Sequence, residues 1–227
     1  MLSRIFSILI MTLFCFAYSS AAWAADSVRD QEIAQCLPGE VSTWGDGRDR
    51  SVAGLPIVFT YQHALAPAWF SAATVLSAVQ KAVSAWARCG LSLRVAGDTA
   101  SSTASGMVVR VLWSDAGSRH NFGLANLGDK TLSLGPGAFQ MLKTRNPSYD
   151  ASQTLQMVIS HEMGHFLGVM SHSRRCVDVT SYYNDGKGQS CYIRGGGTLQ
   201  TGIEYRYSLP TACDIQRCRL VNHFVNP

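Results

Sequence analysis

The sequence has little charge and no concentrated block of either sign. Only 15% of its 227 residues are charged, and the formal net charge at pH 7 is +4. The densest basic spot is Arg174-Arg175, and the other lysines and arginines are scattered, so we expect no nucleic-acid partner. Internal repeats and low-complexity tracts are also absent, and an apolar content of 47% argues against bulk disorder.

The sequence also lacks an apolar run long enough to cross a membrane. Its longest run, residues 5–18, has about 14 residues, whereas a spanning helix needs about 20. Arg4 precedes this run and Ala22-Trp23-Ala24 follows it, which is the pattern of a Sec-type signal peptide cleaved after Ala24. A membrane anchor is the alternative. We expect a secreted or periplasmic protein that does not associate with a membrane after cleavage.

The length suits one substantial domain and is too short for two. After the signal peptide at 1–24, residues 25–54 are mixed in character and predict either a leader or an N-terminal arm. Residues 55–227 form the predicted domain, which we expect to be a monomer.

No Cys-x-x-Cys pair is present, which excludes a zinc ribbon. There are seven cysteines, and Cys15 belongs to the signal peptide. The remaining even number in an exported chain indicates disulfides, with Cys176–Cys191 as the favoured single pair. On a regular helix Cys213 and Cys218 would lie about 8 Å apart along the axis, too far for a disulfide with each other.

Hydrophobic periodicity predicts strands and helices in alternation. The predicted strands cover residues 55–61, 91–95, 107–113, 124–127, 131–134 and 203–207. The predicted helices cover residues 71–88 and 150–167, with a last helix from Pro210 to about 222. Gly135-Pro136-Gly137 predicts a break. This order indicates an α/β (α+β) fold in which two helices pack on a small sheet and a C-terminal helix lies beside them.

The most specific motif lies at the end of the second long helix. Residues 161–165 read H-E-M-G-H, so His161 and His165 lie on one helical face and both imidazoles can reach one ion. Gly168 can adopt a positive φ, which would end the helix and bring His172 back toward the same ion. Three neutral imidazoles with one open position are typical of a catalytic Zn²⁺ site.

Glu162 is the only carboxylate inside this motif, and we predict that it is the general base. A zinc-activated water needs a base as it attacks a peptide carbonyl, and the same carboxylate can pass the proton to the leaving amine. The prediction is therefore a zinc metalloendopeptidase with one catalytic ion and a protein or peptide substrate. Two alternatives remain open: a non-catalytic binding or toxin-like module, and a zinc amide hydrolase acting on cell-wall peptides.

The string over residues 161–172, H-E-x-x-H-x-x-G-x-x-H, is the signature of the metzincin metalloproteases. The flanking segments 55–97 and 208–220 resemble the matrixin branch in a minimal bacterial-type form. The resemblance covers 55–222 and implies a mixed, twisted five-stranded sheet with two long helices, an active-site helix ending at Gly168, and an antiparallel edge strand at 123–127 that binds extended substrate.

The resemblance also implies the roles of individual residues. It makes His161, His165 and His172 the zinc ligands and Glu162 the base. Matrixin leaders usually carry a cysteine that blocks the zinc, and the stretch that begins at Cys36 is similar to it, although a disulfide is favoured there.

The sequence departs from the family in one respect: no methionine follows Met170, although metzincins have one in a turn below the zinc. Residues 202–207 are the nearest matching stretch, so we predict that Thr201 or Ile203 takes that place. Tyr205 or Tyr207 would then approach the zinc or line the specificity pocket, unless it is simply a packed aromatic.

The remaining candidate residues carry weaker signals. His63, His120 and His223 are interpreted as surface or core residues, with substrate contact as an alternative for His120. Trp69 and Trp86 are interpreted as core residues. Four aspartates could serve Ca²⁺, but no calcium-loop pattern supports this. They are Asp46, Asp49, Asp115 and Asp129.

Overall fold

The computed structural model describes residues 28–97, 106–200 and 203–224. The predicted signal peptide lies outside these residues. A five-stranded mixed sheet organises the chain, and its strands are β1 (Ile57–Tyr61), β2 (Leu93–Val95), β3 (Met107–Trp113), β4 (Gly123–Asn126) and β5 (Thr131–Leu134). Their order across the sheet is β2-β1-β3-β5-β4. The first four in that order run parallel, whereas β4 pairs antiparallel with β5 at the edge.

The helices are α1 (Ala72–Trp86), α2 (Asp115–Ser118), α3 (Pro136–Arg145), α4 (Ala151–Phe166) and α5 (Ala212–Val221). A 3₁₀ turn, Ala87–Cys89, continues α1 and ends at Gly90, whose φ is 99°. A further helical segment covers residues 28–34. The predicted mixed α/β fold with a five-stranded sheet is confirmed at this level.

The two long helices pack against each other on the sheet, and this packing fixes the helix that carries the metal motif. The indole Nε1 of Trp86 donates to the carbonyl of Ser160 at 2.9 Å, so a fully buried α1 side chain is bonded to α4. Gly164 makes this approach possible, because a Cβ there would lie 3.0 Å from the Trp86 ring. Burying an aromatic or aliphatic side chain of this size contributes roughly 1.5–3 kcal/mol.

Three sequence predictions differ from the structure. Pro136 begins α3 rather than ending a segment, because proline fits the first helical turn. Pro210 lies outside the last helix, whose N-cap is Thr211 in a capping box with Asp214. Residues 203–207 form no strand; their main chain is irregular and is held by side chains such as Arg29, which donates to the carbonyl of Tyr205.

All six cysteines of the described residues form disulfides. Cys176–Cys191 is confirmed, and the other two pairs are Cys36–Cys213 and Cys89–Cys218. Both Cys213 and Cys218 lie on α5 and bond to other partners, as the helical spacing predicted. In the part of the chain that the structure describes, no helix has the length and apolarity of a membrane span.

Candidate metal centre

Three histidines converge at the C-terminal end of α4. His161 and His165 project from one face of the helix with ring centroids 5.2 Å apart, and the His172 centroid lies 5.1 and 5.2 Å from them. One nitrogen from each ring lies within 4.8 Å of the others. The structure therefore brings all three predicted ligands together.

The turn that returns His172 to this point depends on Gly168. Its φ is 90°, in the left-handed region that disfavours residues with a Cβ. A Cβ at this position would lie 2.1 Å from the carbonyl oxygen of Arg50. Glycine is thus required both by the backbone angle and by the close approach of the chain segment that covers it.

The hydrogen bonds of the rings determine which nitrogen is available to a metal. Nδ1 of His161 bonds to the carbonyl of Val179, and Nδ1 of His165 bonds to the carbonyl of Val169, both at 2.8 Å. Nδ1 of His172 bonds to the carboxylate of Asp46 at 2.6 Å. These oxygens only accept hydrogen bonds, so each Nδ1 carries the proton and each Nε2 has a free lone pair.

The Nε2 atom of His172 is buried and has no hydrogen-bond partner. An orphaned acceptor of this kind is unusual in a folded protein, and a metal ion would satisfy it. Carbonyl and carboxylate partners behind ligating imidazoles are also the usual arrangement in metal sites. The residues present therefore fit a divalent ion that takes nitrogen ligands.

The three imidazoles are held in their neutral, ligating form. Burial lowers the pKa of His161 well below its usual value and that of His165 to about 4, and the rings lower one another's pKa further. Burial also lowers the pKa of His172, although the bond to Asp46 opposes the shift. At neutral pH all three rings can bind a cation without first losing a proton.

Glu162 lies between the three histidines and the sheet edge. Its Oε2 accepts a hydrogen bond from the backbone N–H of Ala125 on β4 at 2.8 Å. Burial raises the pKa of its carboxyl group to about 7, and the bond from Ala125 opposes that rise. Gly123 lets the strand lie this close, because a Cβ there would meet Val158 at 2.4 Å and the Glu162 side chain at 2.9 Å.

Thr180 packs against α4 at Gly164, which lies between His161 and His165 in the sequence. The Thr180 side chain is fully buried, and its Cγ2 would lie 3.3 Å from a Cβ on Gly164. Its hydroxyl donates to Asp214 at 2.6 Å. Ile203 is 59% exposed and lines a separate cavity, and Thr201 lies outside the described residues.

A cavity of about 640 Å³ adjoins the histidines and runs along β4. Its walls near the edge strand are mostly apolar, with side chains from β4, α3 and α4. These are Leu124, Leu127, Ala138, Met141, Met157 and Val158. The prediction of an antiparallel edge strand at 123–127 is confirmed for Gly123–Asn126, and no other strand of the described residues pairs with its outer side.

The aromatic residue beside the three histidines is Tyr182, which no motif in the sequence indicated. Its ring stacks on His172 with centroids 3.6 Å apart and an interplanar angle of 16°. Tyr205 instead donates its hydroxyl to Glu32, and Tyr207 donates its backbone N–H to Val177. Neither lines the cavity at the histidines, so of the two alternatives left open for these tyrosines the packed aromatic is the one that applies.

Asp46 is the other residue missed as part of the site. It is 126 positions from His172, so no local spacing connects the two residues. The four aspartates considered for Ca²⁺ do not form a group. Asp49 pairs with Arg217, and neither Asp115 nor Asp129 belongs to a group of three possible ligands among the described residues.

The remaining candidates have ordinary surroundings. Cys36 is bonded to Cys213, so its thiol is not free to block the histidines. His63 and His223 are exposed, and His120 lies at the rim of the cavity beside β4. Trp86 is buried in the core, as predicted, whereas Trp69 is 39% exposed.

No family model matches this chain, and no curated protein matches it. Among solved structures, a chain of the GM1-bound form of the ECX AB5 holotoxin is similar to it at 14% sequence identity and a TM-score of 0.43. The similarity covers 83% of this chain and 92% of that chain.

Proposed function

We propose that this chain is a zinc-dependent endopeptidase of the metzincin type that acts outside the cytoplasm. The observation that carries the proposal is the convergence of one ring nitrogen from each of three histidines next to a buried carboxylate that is bonded to an open strand edge. A purely structural metal site would have no need of Glu162, and a purely structural carboxylate would have no need of the three histidines.

The ligands of the zinc would be His161, His165 and His172, bound through Nε2. Three protein ligands leave a further position open, which is typical of catalytic rather than structural zinc. The bound ion would supply Lewis-acid polarisation of the scissile carbonyl and would make water more acidic.

Glu162 would accept the proton of the attacking water and deliver it to the leaving amine. A general base works best when its pKa lies near the working pH, and burial raises the pKa of Glu162 toward that range. The Ala125 N–H holds one carboxylate oxygen, which fixes the orientation of the other. Because the attacking group is water, no covalent intermediate on a side chain is required.

The substrate would bind as an extended strand along β4. Backbone pairing to a sheet edge tolerates many sequences, and selectivity then comes from pockets for individual side chains. The apolar wall of the cavity beside β4 favours a substrate with a large apolar side chain next to the scissile bond. Arg206 also lines the cavity, but its guanidinium is paired with Glu204 at 2.8 Å.

Export to the periplasm or the medium is part of the same proposal. Three disulfides suit an oxidising compartment, and the N-terminal pattern of the sequence predicts a signal peptide. The activity would then meet extracellular or periplasmic proteins and peptides.

The test is cleavage of a diverse peptide library by the purified zinc-loaded chain, beside Glu162→Gln. Glutamine keeps the size of the side chain and an acceptor for the Ala125 N–H but cannot take a proton. Asp30→Asn, an exposed change of the same kind on residues 28–34, is the matched control. We expect cleavage by the wild type and the control, and a loss of at least about 10²-fold in Glu162→Gln.

If neither the wild type nor the control cleaves any peptide while zinc is bound, the endopeptidase proposal fails. A biological effect that Glu162→Gln retains would then favour the non-catalytic binding or toxin-like module. Release of amines from cell-wall peptides alone, without cleavage of ordinary peptides, would favour the amide hydrolase.

A further inference from the structure

Residues 42–50 lie within the predicted leader or N-terminal arm, and from here on we call only this segment the arm. The arm covers the whole turn between Gly168 and His172. Main-chain bonds join Trp44 to the carbonyl of His172 at 3.0 Å and Arg50 to the carbonyl of Gly168 at 3.1 Å. The carbonyl of Ser42 accepts from the N–H of Arg174 at 3.0 Å. The arm therefore contacts the turn at its beginning, its middle and its end.

Two aspartates of the arm fill the space between these main-chain bonds. Asp49 accepts from the N–H groups of Met170 and Ser171 at 2.8 and 3.0 Å. Asp46 binds Ser171 and His172 with both of its carboxylate oxygens. Its Oδ1 accepts from the hydroxyl of Ser171 at 2.9 Å and from the N–H of His172 at 2.8 Å, while its Oδ2 accepts from His172 Nδ1 at 2.6 Å.

The three metal ligands differ in how their rings are held. His161 and His165 lie on α4, and each bonds to a main-chain carbonyl. His172 lies beyond Gly168 on irregular chain, and Asp46 is the acceptor for its Nδ1. The position and tautomer of this ring therefore depend on a side chain from a distant part of the sequence.

We propose that Asp46 is a positioning residue for the third metal ligand and that the arm is thereby part of the metal site. This inference rests on the proposed zinc site. Asp46 keeps the proton of His172 on Nδ1 and so keeps the Nε2 lone pair directed at the ion. Carboxylate partners of this kind typically change metal affinity by about 10- to 100-fold when they are removed.

Asparagine at this position would reverse the bond. Its oxygen can still accept from Ser171 and the main chain, which places its NH₂ group against His172 Nδ1. That arrangement favours the tautomer with the proton on Nε2. In this tautomer Nε2 has no lone pair with which to bind a metal. Asp46→Asn should therefore weaken the site although the carboxylate is replaced by a group of the same size.

The experiment measures Zn²⁺ affinity of the purified chain by competition with a chromogenic chelator. We expect Asp46→Asn to bind Zn²⁺ about 10- to 100-fold more weakly than the wild type, with Asp30→Asn unchanged. The visible absorption of bound Co²⁺ should change as well, because the ring that ligates it is reoriented. The metal-free variant should keep the unfolding midpoint of the wild type to within a few degrees.

A double-mutant cycle separates positioning from a general effect on the fold. In a His172→Ala background, Asp46→Asn should cause no further loss of Zn²⁺ affinity, because it acts through that ring. A further loss of the same size would overturn the proposal. If Asp46→Asn does not fold, Ser171→Ala removes one of the two donors to Oδ1, its hydroxyl, and should weaken Zn²⁺ binding a few-fold. Unchanged affinity would overturn the proposal too.

The outcomes also distinguish this inference from the proposed function. Zn²⁺ binding of equal strength in the wild type and Asp46→Asn would refute the positioning role and leave the endopeptidase intact. Selective weakening of Zn²⁺ binding in a chain that cleaves no peptide would support the positioning role and refute the endopeptidase.

Discussion

The hydroxyl of Thr180 donates to the carboxylate of Asp214 at 2.6 Å, and both residues are buried. The same carboxylate accepts from the backbone N–H of Val179, whose carbonyl bonds to His161. The first turn of α5 is thus connected through Val179 to His161, one of the three converging histidines.

Substitution of Thr180 tests how tightly this buried position is packed. Thr180→Val keeps the shape but loses a hydrogen bond to a charged group, which should cost about 1.5–3 kcal/mol of unfolding free energy. Thr180→Met loses the same bond and also overpacks a fully buried position, which adds about 1–3 kcal/mol. Urea denaturation of the metal-free proteins measures both, and a Thr180→Met protein as stable as the wild type would contradict the packing.

Substitution of Gly168 tests the turn that returns His172 to the metal site. Gly168→Ala places a Cβ 2.1 Å from the carbonyl oxygen of Arg50, whereas Gly186→Ala, at a similar positive φ, meets nothing within 4 Å. Both changes carry left-handed strain of about 1–2 kcal/mol, and only the first also displaces the arm.

We therefore expect Gly168→Ala to lose at least about 2 kcal/mol more than Gly186→Ala and to lose Zn²⁺ affinity as well. Denaturation and chelator competition provide the two measurements. Equal losses in the two variants would mean that the arm adapts to the new side chain without affecting the ligands.

The parts of the site that could be predicted are those encoded by short spacing. His161 and His165 lie four residues apart on a helix, and Gly168 predicts the turn before His172. The Cys176–Cys191 pair was also accessible, because its members are only 15 residues apart. In each case local geometry restricts the chain to a few arrangements.

The remaining features arise from contacts between distant segments. Asp46 reaches His172 across 126 residues, and Thr180 reaches Asp214 across 34. No periodicity in the sequence records such pairs, because they exist only after the arm and α5 have packed. The helix that begins at Pro136 was missed for another reason: two glycines flank this proline, so a break and a helical first turn have the same local pattern.

Removal of single disulfides should destabilise the fold unequally. Cys36–Cys213 joins residues 177 apart, whereas Cys176–Cys191 closes a short loop. A 15-residue loop is worth about 3 kcal/mol and longer loops up to about 5 kcal/mol, so the double serine variant of the first pair should lose about 2 kcal/mol more. Thermal unfolding of the two variants measures the difference, and a larger loss for the short loop would contradict the ranking.

Tyr182 should support metal binding through its ring rather than through its hydroxyl. The ring stacks on His172 at 3.6 Å, and a stacked pair is worth about 0.5–1.5 kcal/mol. Tyr182→Ala should therefore weaken Zn²⁺ binding by about 2- to 10-fold, whereas Tyr182→Phe should leave it unchanged. Chelator competition measures both variants, and equal weakening by the two would assign the effect to the hydroxyl.

The raised pKa of Glu162 predicts a pH-dependent stability of the metal-free protein. Burial raises this pKa from 4.5 to about 7, so the folded state holds a proton that the unfolded state releases. The stability contributed by that proton is fully present below about pH 4.5 and is lost as the pH rises to about 7. Glu162→Gln cannot lose it, so the variant should gain up to about 3 kcal/mol over the wild type between these pH values.

The measurement is the difference in unfolding free energy between Glu162→Gln and the wild type from pH 4 to 9. His161, His165 and His172 have the opposite pH dependence, because their lowered pKa values reduce the stability of the fold as the pH falls below about 6.5. They are present in both proteins, so their contribution cancels in the difference. Zn²⁺ beside Glu162 would lower its pKa and flatten the curve. If the difference is independent of pH in the metal-free proteins, the carboxyl group of Glu162 is ionised at its buried position. Groups other than the Ala125 N–H must then stabilise its charge.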